Sequence, residues 1–398
     1  MSSTQQSGSM NDVSLLVAEG PSGHNGSQNR QGTSFSRGSL EPDVGPDVPE
    51  RVHDGPECTR ASDLASRRPL VGSSPGFGLS PLPSRLRRYA LALRPWSFSA
   101  SIGPVALGST LAVQDGKLQL DLAICGATLL TVLAVHGAGN VVNTYYDYIR
   151  GYDNKKSDDR TLVDELLQPA DIIRLGAVLY SFGCLTALLL AFLSPLPLEH
   201  LALLYFGGLS GSFLYTGGPG LKYVALGDLL ILLLFGPLAV LFSFSVQTGH
   251  LTTWPLLYAA PLALHTQAAL HANNARDAES DKKAGGLTVA ILLGKTGSYF
   301  LYCFLLFSPY LGFAWAAGSV AGTLALPLAT LPLAFRLERC WRSGRLSALP
   351  AATVRLSLGV AALLCTGLML RQRLPELDCM SGSEKVIFSI HEGMVMYR

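Results

Sequence analysis

The run Asn140-Val-Val-Asn143-Thr-Tyr-Tyr-Asp147-Tyr-Ile-Arg-Gly151-Tyr-Asp153 closes an apolar stretch that begins near residue 121. About 20 apolar residues suffice to cross a hydrocarbon core, so this polar ending belongs at a membrane edge. On a helix, Asn140, Asn143 and Asp147 stand at i, i+3 and i+7 and share one face. Asp153 would leave that face if the helix continued. Gly151 offers a helix end, after which the chain can turn and bring Asp153 back.

A second stretch mirrors the first. Asn273-Asn274-Ala-Arg276-Asp277-Ala-Glu-Ser-Asp281 ends another apolar run, and Asn273, Asp277 and Asp281 lie at i, i+4 and i+8 on one helix face. Acidic groups at the edge of a membrane span generally face a polar cavity and serve function. Several carboxylates drawn together repel one another unless cations join them. Oxygen-only donors suit a hard divalent ion, and Mg²⁺ typically combines a few carboxylates with substrate phosphate oxygens. Asp147, Asp153, Asp277 and Asp281 are therefore read as metal ligands and catalytic groups. Asp158, Asp159, Glu279 and Asp164 are read as solvated loop charges.

Outward from these clusters, the rest of the chain reads as membrane protein. It is 48% hydrophobic and 15% charged, against about a quarter charged in soluble domains. Apolar runs fall near 95–113, 121–146, 171–193, 199–215, 226–247, 254–274, 296–316, 319–336 and 352–370, which predicts an all-α polytopic bundle of about nine spans. Lys and Arg alternate accordingly. Basic residues gather at 85–94, 150–174, 222, 276–295 and 336–355, whereas the intervening connections hold only Lys117. By the positive-inside rule the basic loops and the N-terminus face the cytosol. Glycines within the spans, such as Gly137, Gly139, Gly207, Gly208 and Gly211, suit close helix packing. A net charge of +2 gives no reason to expect a nucleic-acid partner; the seven cysteines form no C-x-x-C pair and suggest no zinc site.

Residues 1–82 are rich in Ser, Gly, Pro, Asp and Gln, lack an apolar period and read as a disordered cytosolic arm. They contain no apolar signal-peptide core. Residues 83–371 form the membrane domain and 372–398 a separate tail. On the cytosolic side Arg94, Arg160, Lys222 and Arg276, with Lys155, Lys156 and Lys282, offer positive charge to a leaving diphosphate, although positive-inside topology alone accounts for most of them. Lys222 is the one basic residue of its loop, beside Tyr215-Thr-Gly-Gly-Pro-Gly; phosphate contact and simple topology both fit it. His136 and His271 read as packed, hydrogen-bonded histidines. Tyr145, Tyr146, Phe206, Phe213 and Tyr215 are candidates for ring-face stabilisation of a cation, with plain packing as the alternative.

The pattern N-x-x-x-D-x5-D ending the second run, with D-x-x-x-D ending the sixth, resembles the UbiA superfamily of intramembrane aromatic prenyltransferases. Leu93-Arg-Pro-Trp-Ser-Phe-Ser-Ala-Ser101, Lys155-Lys-Ser-Asp-Asp-Arg-Thr-Leu-Val-Asp164 and Tyr205-Phe-Gly-Gly-Leu-Ser-Gly-Ser-Phe-Leu-Tyr-Thr-Gly-Gly218 extend the resemblance across about residues 85–370. It implies nine helices around a central cavity, with Mg²⁺ and diphosphate bound by the carboxylates. Asn140, Asn143, Asp147 and Asp153 fall on the first motif, Asn274, Asp277 and Asp281 on the second, and Lys222 and Tyr215 on a loop near the diphosphate. The implied reaction moves a geranylgeranyl or similar group to a reduced naphthoquinone such as menadiol, giving menaquinone-4, with a benzoquinone as a further acceptor. Endoplasmic reticulum and Golgi membranes are the expected compartments, with mitochondria as the alternative. HMG-CoA reductase is an implied protein partner. Two other classes stand beside this reading: an isoprenoid-diphosphate sensor with weak catalysis, and a cation-coupled transporter, whose carboxylates usually lie nearer the midplane.

Overall fold

The computed structural model describes residues 84–116, 119–153 and 159–373. All of these fall within one unit spanning Gly55–Arg398. The expected arm, the tail beyond Arg373, Lys155, Lys156 and Asp158 lie outside the described residues, and the last helix runs two residues past the expected domain end at 371.

Helix α1 covers Ser84–Ala92, and a 3-10 turn at Pro95–Phe98 leads into α2, Ser99–Gln114. Helix α3, Leu122–Ile149, starts where the Asp121 side chain accepts the backbone N–H groups of Ala123 and Ile124 at 2.8 and 3.1 Å, satisfying donors that a helix start leaves open. Helix α4, Pro169–Leu193, opens on a proline, which lacks an N–H and is suited to that first position. Next come α5, Leu198–Leu214, and a 3-10 turn at Leu221–Tyr223. Helices α6, Gly227–Leu233, and α7, Ala239–Thr248, are joined without a break by a π-turn at Leu234–Leu238 that contains Pro237. Helix α8, Pro255–Lys283, is followed by α9, Val289–Ser319, a 3-10 stretch at Gly322–Thr330, α10, Leu331–Arg342, and α11, Leu349–Arg373.

Every expected apolar run is helical. Among the described residues, five stretches are long and apolar enough to cross a membrane: α3, α4, Gly227–Thr248, α9 and α11. Helices α2 and α5 have 16 and 17 residues, and the run expected at 319–336 divides into 3-10 and α segments around Pro327 and Pro332. Helix α9 breaks at Gly294 (φ 63°), so its straight part begins close to the expected residue 296.

The outward faces are apolar. Phe192 is 80% exposed and Leu122, Leu257 and Leu311 are 74–76% exposed; such surfaces belong in lipid rather than water. The interior holds Leu107 and Leu111 of α2, Phe244 of α7, Leu262 of α8, Tyr302 and Leu306 of α9 and Leu364 of α11. Small residues set the closest approaches. A Cβ on Gly236 would sit 2.3 Å from Ala263 Cβ, and one on Gly139 would sit 2.4 Å from Ser212 Oγ. Gly211 is similarly crowded by Leu234, whereas a Cβ on Gly207 would meet nothing within 4 Å, so packing does not explain that glycine.

Candidate active site

The spacing that places Asn140, Asn143 and Asp147 on one face of α3 turns all three toward a cavity of about 1140 Å³. The helix ends as expected at Gly151, whose φ of +76° is natural for glycine. The chain then doubles back, so that the N–H groups of Tyr152 and Asp153 both reach the Asp147 carbonyl, at 2.8 and 3.2 Å. Asp153 thereby joins Asp147 in the cavity lining. Burial, and then the neighbouring Asp147 charge, push the Asp153 carboxyl up to about 7.

Asp147 is 4% exposed. Its carboxylate accepts Asn143 Nδ2 at 2.8 Å, Lys222 Nζ at 2.6 Å and the Tyr223 hydroxyl at 2.8 Å. Lys222 thus meets the acidic cluster directly. Burial works against its charge, but Asp147, Tyr215 and Asp281 together hold the ammonium above its ordinary range. Tyr223 was not anticipated; its position two residues beyond the 3-10 turn's Leu221 becomes meaningful only once that turn faces α3.

On α8, Asp277 receives both Nε and Nη2 of Arg276 at 2.8 Å and Asn273 Nδ2 at 3.3 Å. Asn273, Arg276, Asp277 and Asp281 line the same cavity. Asn274 departs from expectation. Its side chain is buried outside the lining and donates to Asp228 at 3.3 Å. Neighbouring helical residues differ by about 100° in direction, so Asn273 faces the cavity and Asn274 does not.

Asp159 is the clearest correction. It is not a solvated loop charge: it pairs with Arg94 at 2.7 Å, accepts the Thr144 hydroxyl, and lines the cavity. Burial alone would raise its carboxyl, but Arg94 and hydrogen bonds from Thr144 and the Thr161 N–H hold it well below the usual carboxylate range. Arg94 also donates to Asn143 Oδ1 at 2.8 Å. Its backbone adopts φ 51°, a strained conformation for a non-glycine residue that its surroundings must hold in place. Glu279 is an exposed charge that also borders the cavity, and Arg160 pairs with Asp164 at 2.7 Å while also lining it.

Both histidines are hydrogen-bonded as expected, and His136 also lines the cavity whereas His271 does not. His136 lies between Ser97 and Ser101, with ring-nitrogen to hydroxyl distances of 3.1 and 2.7 Å, and His271 Nε2 is 3.1 Å from the Ser298 carbonyl. Among the proposed aromatics, Tyr215 lines the cavity. Tyr145, Tyr146, Phe206 and Phe213 lie outside the lining, and Phe206 is more than half exposed. Tyr152, Tyr205, Phe235 and Phe242 provide aromatic wall instead.

Polarity follows the same order along both principal wall helices. Helix α3 passes from Thr131, Val132 and Val135 to Asn140 and Asp147, and α8 from Thr266 and Ala269 to Asn273 and Asp281. The cavity therefore has one end lined by charges and amides and a deeper region walled by Leu204, Leu234, Phe235, Leu238 and Phe242. Among the described residues, no three His, Cys, Asp or Glu side chains converge to cage an ion by themselves. Mg²⁺ does not require such a cage, because it usually takes one or two carboxylates and completes its shell with phosphate and water. The donor chemistry fits that ion.

Residues 101–358 match the UbiA prenyltransferase family. The chain belongs to that family. It is an enzyme, an aromatic prenyltransferase, and a multi-pass membrane protein. It is 55% identical over 317 residues to UbiA prenyltransferase domain-containing protein 1 of Homo sapiens, covering 79% of this chain and 93% of that one. The Danio rerio protein of the same name is 59% identical over 290 residues, covering 73% and 86%. Among solved UbiA structures, the apo homolog from Aeropyrum pernix K1 aligns with a TM-score of 0.55 at 18% identity, covering 70% of this chain and 98% of that one. The Archaeoglobus fulgidus homolog bound to GPP and Mg²⁺ aligns with a TM-score of 0.52 at 16% identity, covering 71% and 98%. These structural likenesses establish a shared UbiA fold.

Proposed function

We propose that this UbiA enzyme transfers a geranylgeranyl or similar chain from its diphosphate to a reduced naphthoquinone such as menadiol, in a Mg²⁺-dependent reaction that yields menaquinone-4. A benzoquinone is a second acceptor of the same chemistry. The supporting observation is one cavity that joins two acidic clusters and several cations to a deep apolar wall. The relatives' names carry the prenyltransferase activity, and the archaeal homolog was solved with GPP and Mg²⁺.

In this reading Asp147, Asp153, Asp277 and Asp281 hold Mg²⁺, which when bound supplies Lewis-acid stabilisation to the departing diphosphate. Lys222, Arg94, Arg160 and Arg276 add positive charge around the same leaving group. Tyr215, Asn140 and Asn143 contribute hydrogen-bonding groups at its edge. Asn274 takes no direct part, because it lies outside the cavity lining with its amide on Asp228. The apolar wall accepts the isoprenoid chain and keeps water from the allylic cation, leaving an electron-rich quinol carbon to form the new bond as a ring proton is lost. The basic loops face the cytosol, in endoplasmic reticulum or Golgi membranes.

The test is turnover by the purified chain supplied with MgCl₂, geranylgeranyl diphosphate and menadiol. Prenylated naphthoquinone is expected, with a loss of at least about 100-fold in Asp147→Ala and Asp277→Ala, the scale of removing a main electrostatic contact to a transition state. Binding of the diphosphate with no prenylated product would contradict the reading.

A further inference from the structure

Asp228 lies outside the cavity lining, in the first turn of α6, and is 8% exposed. One carboxylate oxygen accepts Gln267 Nε2 at 2.8 Å and the other accepts Asn274 Nδ2 at 3.3 Å. Gln267 and Asn274 are seven residues apart on α8, two turns along the same face. A carboxylate gripping two points on one face resists rotation of the helix about its axis. A single hydrogen bond would resist it far less.

That rotation decides which amide meets the cavity. Turning α8 by one residue, about 100°, would replace Asn273 with Asn274 and carry Asp277 off the wall. Asp228 also stands six residues beyond Lys222, on the segment that begins at the Asp147-bound Lys222 and Tyr223. The same segment is fastened to the residues after α8, where Leu287 N–H donates to the Tyr223 carbonyl at 3.0 Å. A continuous path therefore runs from Asp147 through Lys222 and Tyr223 to Asp228, and on through Gln267 and Asn274 to Asn273 and Asp277.

We infer that Asp228 is a positioning residue, a brace that sets the rotation of α8 and so places the second acidic cluster opposite the first. The inference rests on reading the two clusters as one Mg²⁺–diphosphate site. It concerns a group that touches neither ligand.

The experiment measures binding of geranylgeranyl S-thiolodiphosphate to the full chain by titration calorimetry across a MgCl₂ series, together with the melting temperature. Asp228→Ala is expected to raise the MgCl₂ needed for half-maximal probe binding by about 10- to 100-fold, as loss of a residue supporting metal ligands does. A general packing defect would lower the melting temperature and leave that half-saturation unmoved. Asp228→Asn is expected to stay within about threefold of wild type, because the Gln267 Oε1, which has no partner, can turn to accept the new amide. Gln267→Met supplies a milder break should Asp228→Ala fail to fold, with a several-fold rise expected. Unchanged half-saturation in the Ala or Met variant, or an Asn variant as weak as Ala, overturns the inference alone. Wild-type protein that binds no probe in MgCl₂ contradicts the site reading and the inference with it.

Discussion

The Lys222 ammonium lies 2.6 Å from the Asp147 carboxylate, with the two side chains only 13% and 5% exposed. A pair this buried is expensive to break from one side, because removing one partner strands the other charge; such losses run to about 3–5 kcal/mol. Replacing both partners with neutral groups strands nothing. Lys222→Met should therefore destabilise the protein more than the double variant Lys222→Met/Asp147→Asn. Thermal melts in detergent of wild type, both single variants and the double variant test this, with a coupling well above 0.5 kcal/mol expected for contacting residues.

The Arg94–Asp159 pair has a defined pH signature. Asp159 is held below the ordinary carboxylate range, so its contribution to stability is present above the unfolded-state pKa of about 3.9 and is lost as pH falls through the lower folded value. Asp159→Asn should be less stable than wild type by a nearly constant margin between pH 5 and 8. The margin should narrow only in stronger acid. Melting curves of the two proteins from pH 8 down into that acid range provide the comparison.

Glycine packing yields a paired test. A methyl group on Gly236 would collide with Ala263 across the π-turn, whereas one on Gly207 meets open space. Gly236→Ala should lose about 1–3 kcal/mol, the usual range for overpacking, and should disturb the cavity wall through the adjacent Phe235. Gly207→Ala should be neutral or slightly stabilising, since alanine favours helix over glycine by about 1 kcal/mol. Equal melting shifts in both variants would refute the assignment.

Gly208 lines the deep part of the cavity, where a Cβ would meet only Leu238 at 3.6 Å. Filling that space with Gly208→Trp should reduce turnover of a 20-carbon diphosphate by at least about tenfold while sparing a 10-carbon one. Competition between the two diphosphates, read by mass spectrometry of the products, measures the change.

What the sequence made legible was whatever depends on helical period. The faces of α3 and α8, the turn at Gly151, and the gathering of the charges at one end of the cavity all follow from spacing. What stayed hidden depends on contacts between distant segments. Asp159 looked like one more loop charge because Arg94, 65 residues earlier, gives no local sign of reaching it. Asp228 and Tyr223 sit in apolar or ordinary loop sequence and acquire meaning only against α8 and α3. The choice between Asn273 and Asn274 turned on a rotation of about 100°; spacing favoured Asn273, and the family motif pointed to its neighbour. The run at 319–336 retained apolar composition while its prolines divided it into two kinds of helix.

The proposed function requires the two acidic clusters together to hold a divalent ion and an isoprenoid diphosphate at one end of the cavity. Its most direct test is a structure of the protein with Mn²⁺ and geranylgeranyl S-thiolodiphosphate, with the metal located by anomalous scattering. Anomalous peaks are expected beside the carboxylates of Asp147 or Asp153 and of Asp277 or Asp281, with the diphosphate between the clusters and Lys222 turned from Asp147 toward it. Metal peaks elsewhere, or a diphosphate bound with both clusters unchanged in their present ion pairs, would contradict it.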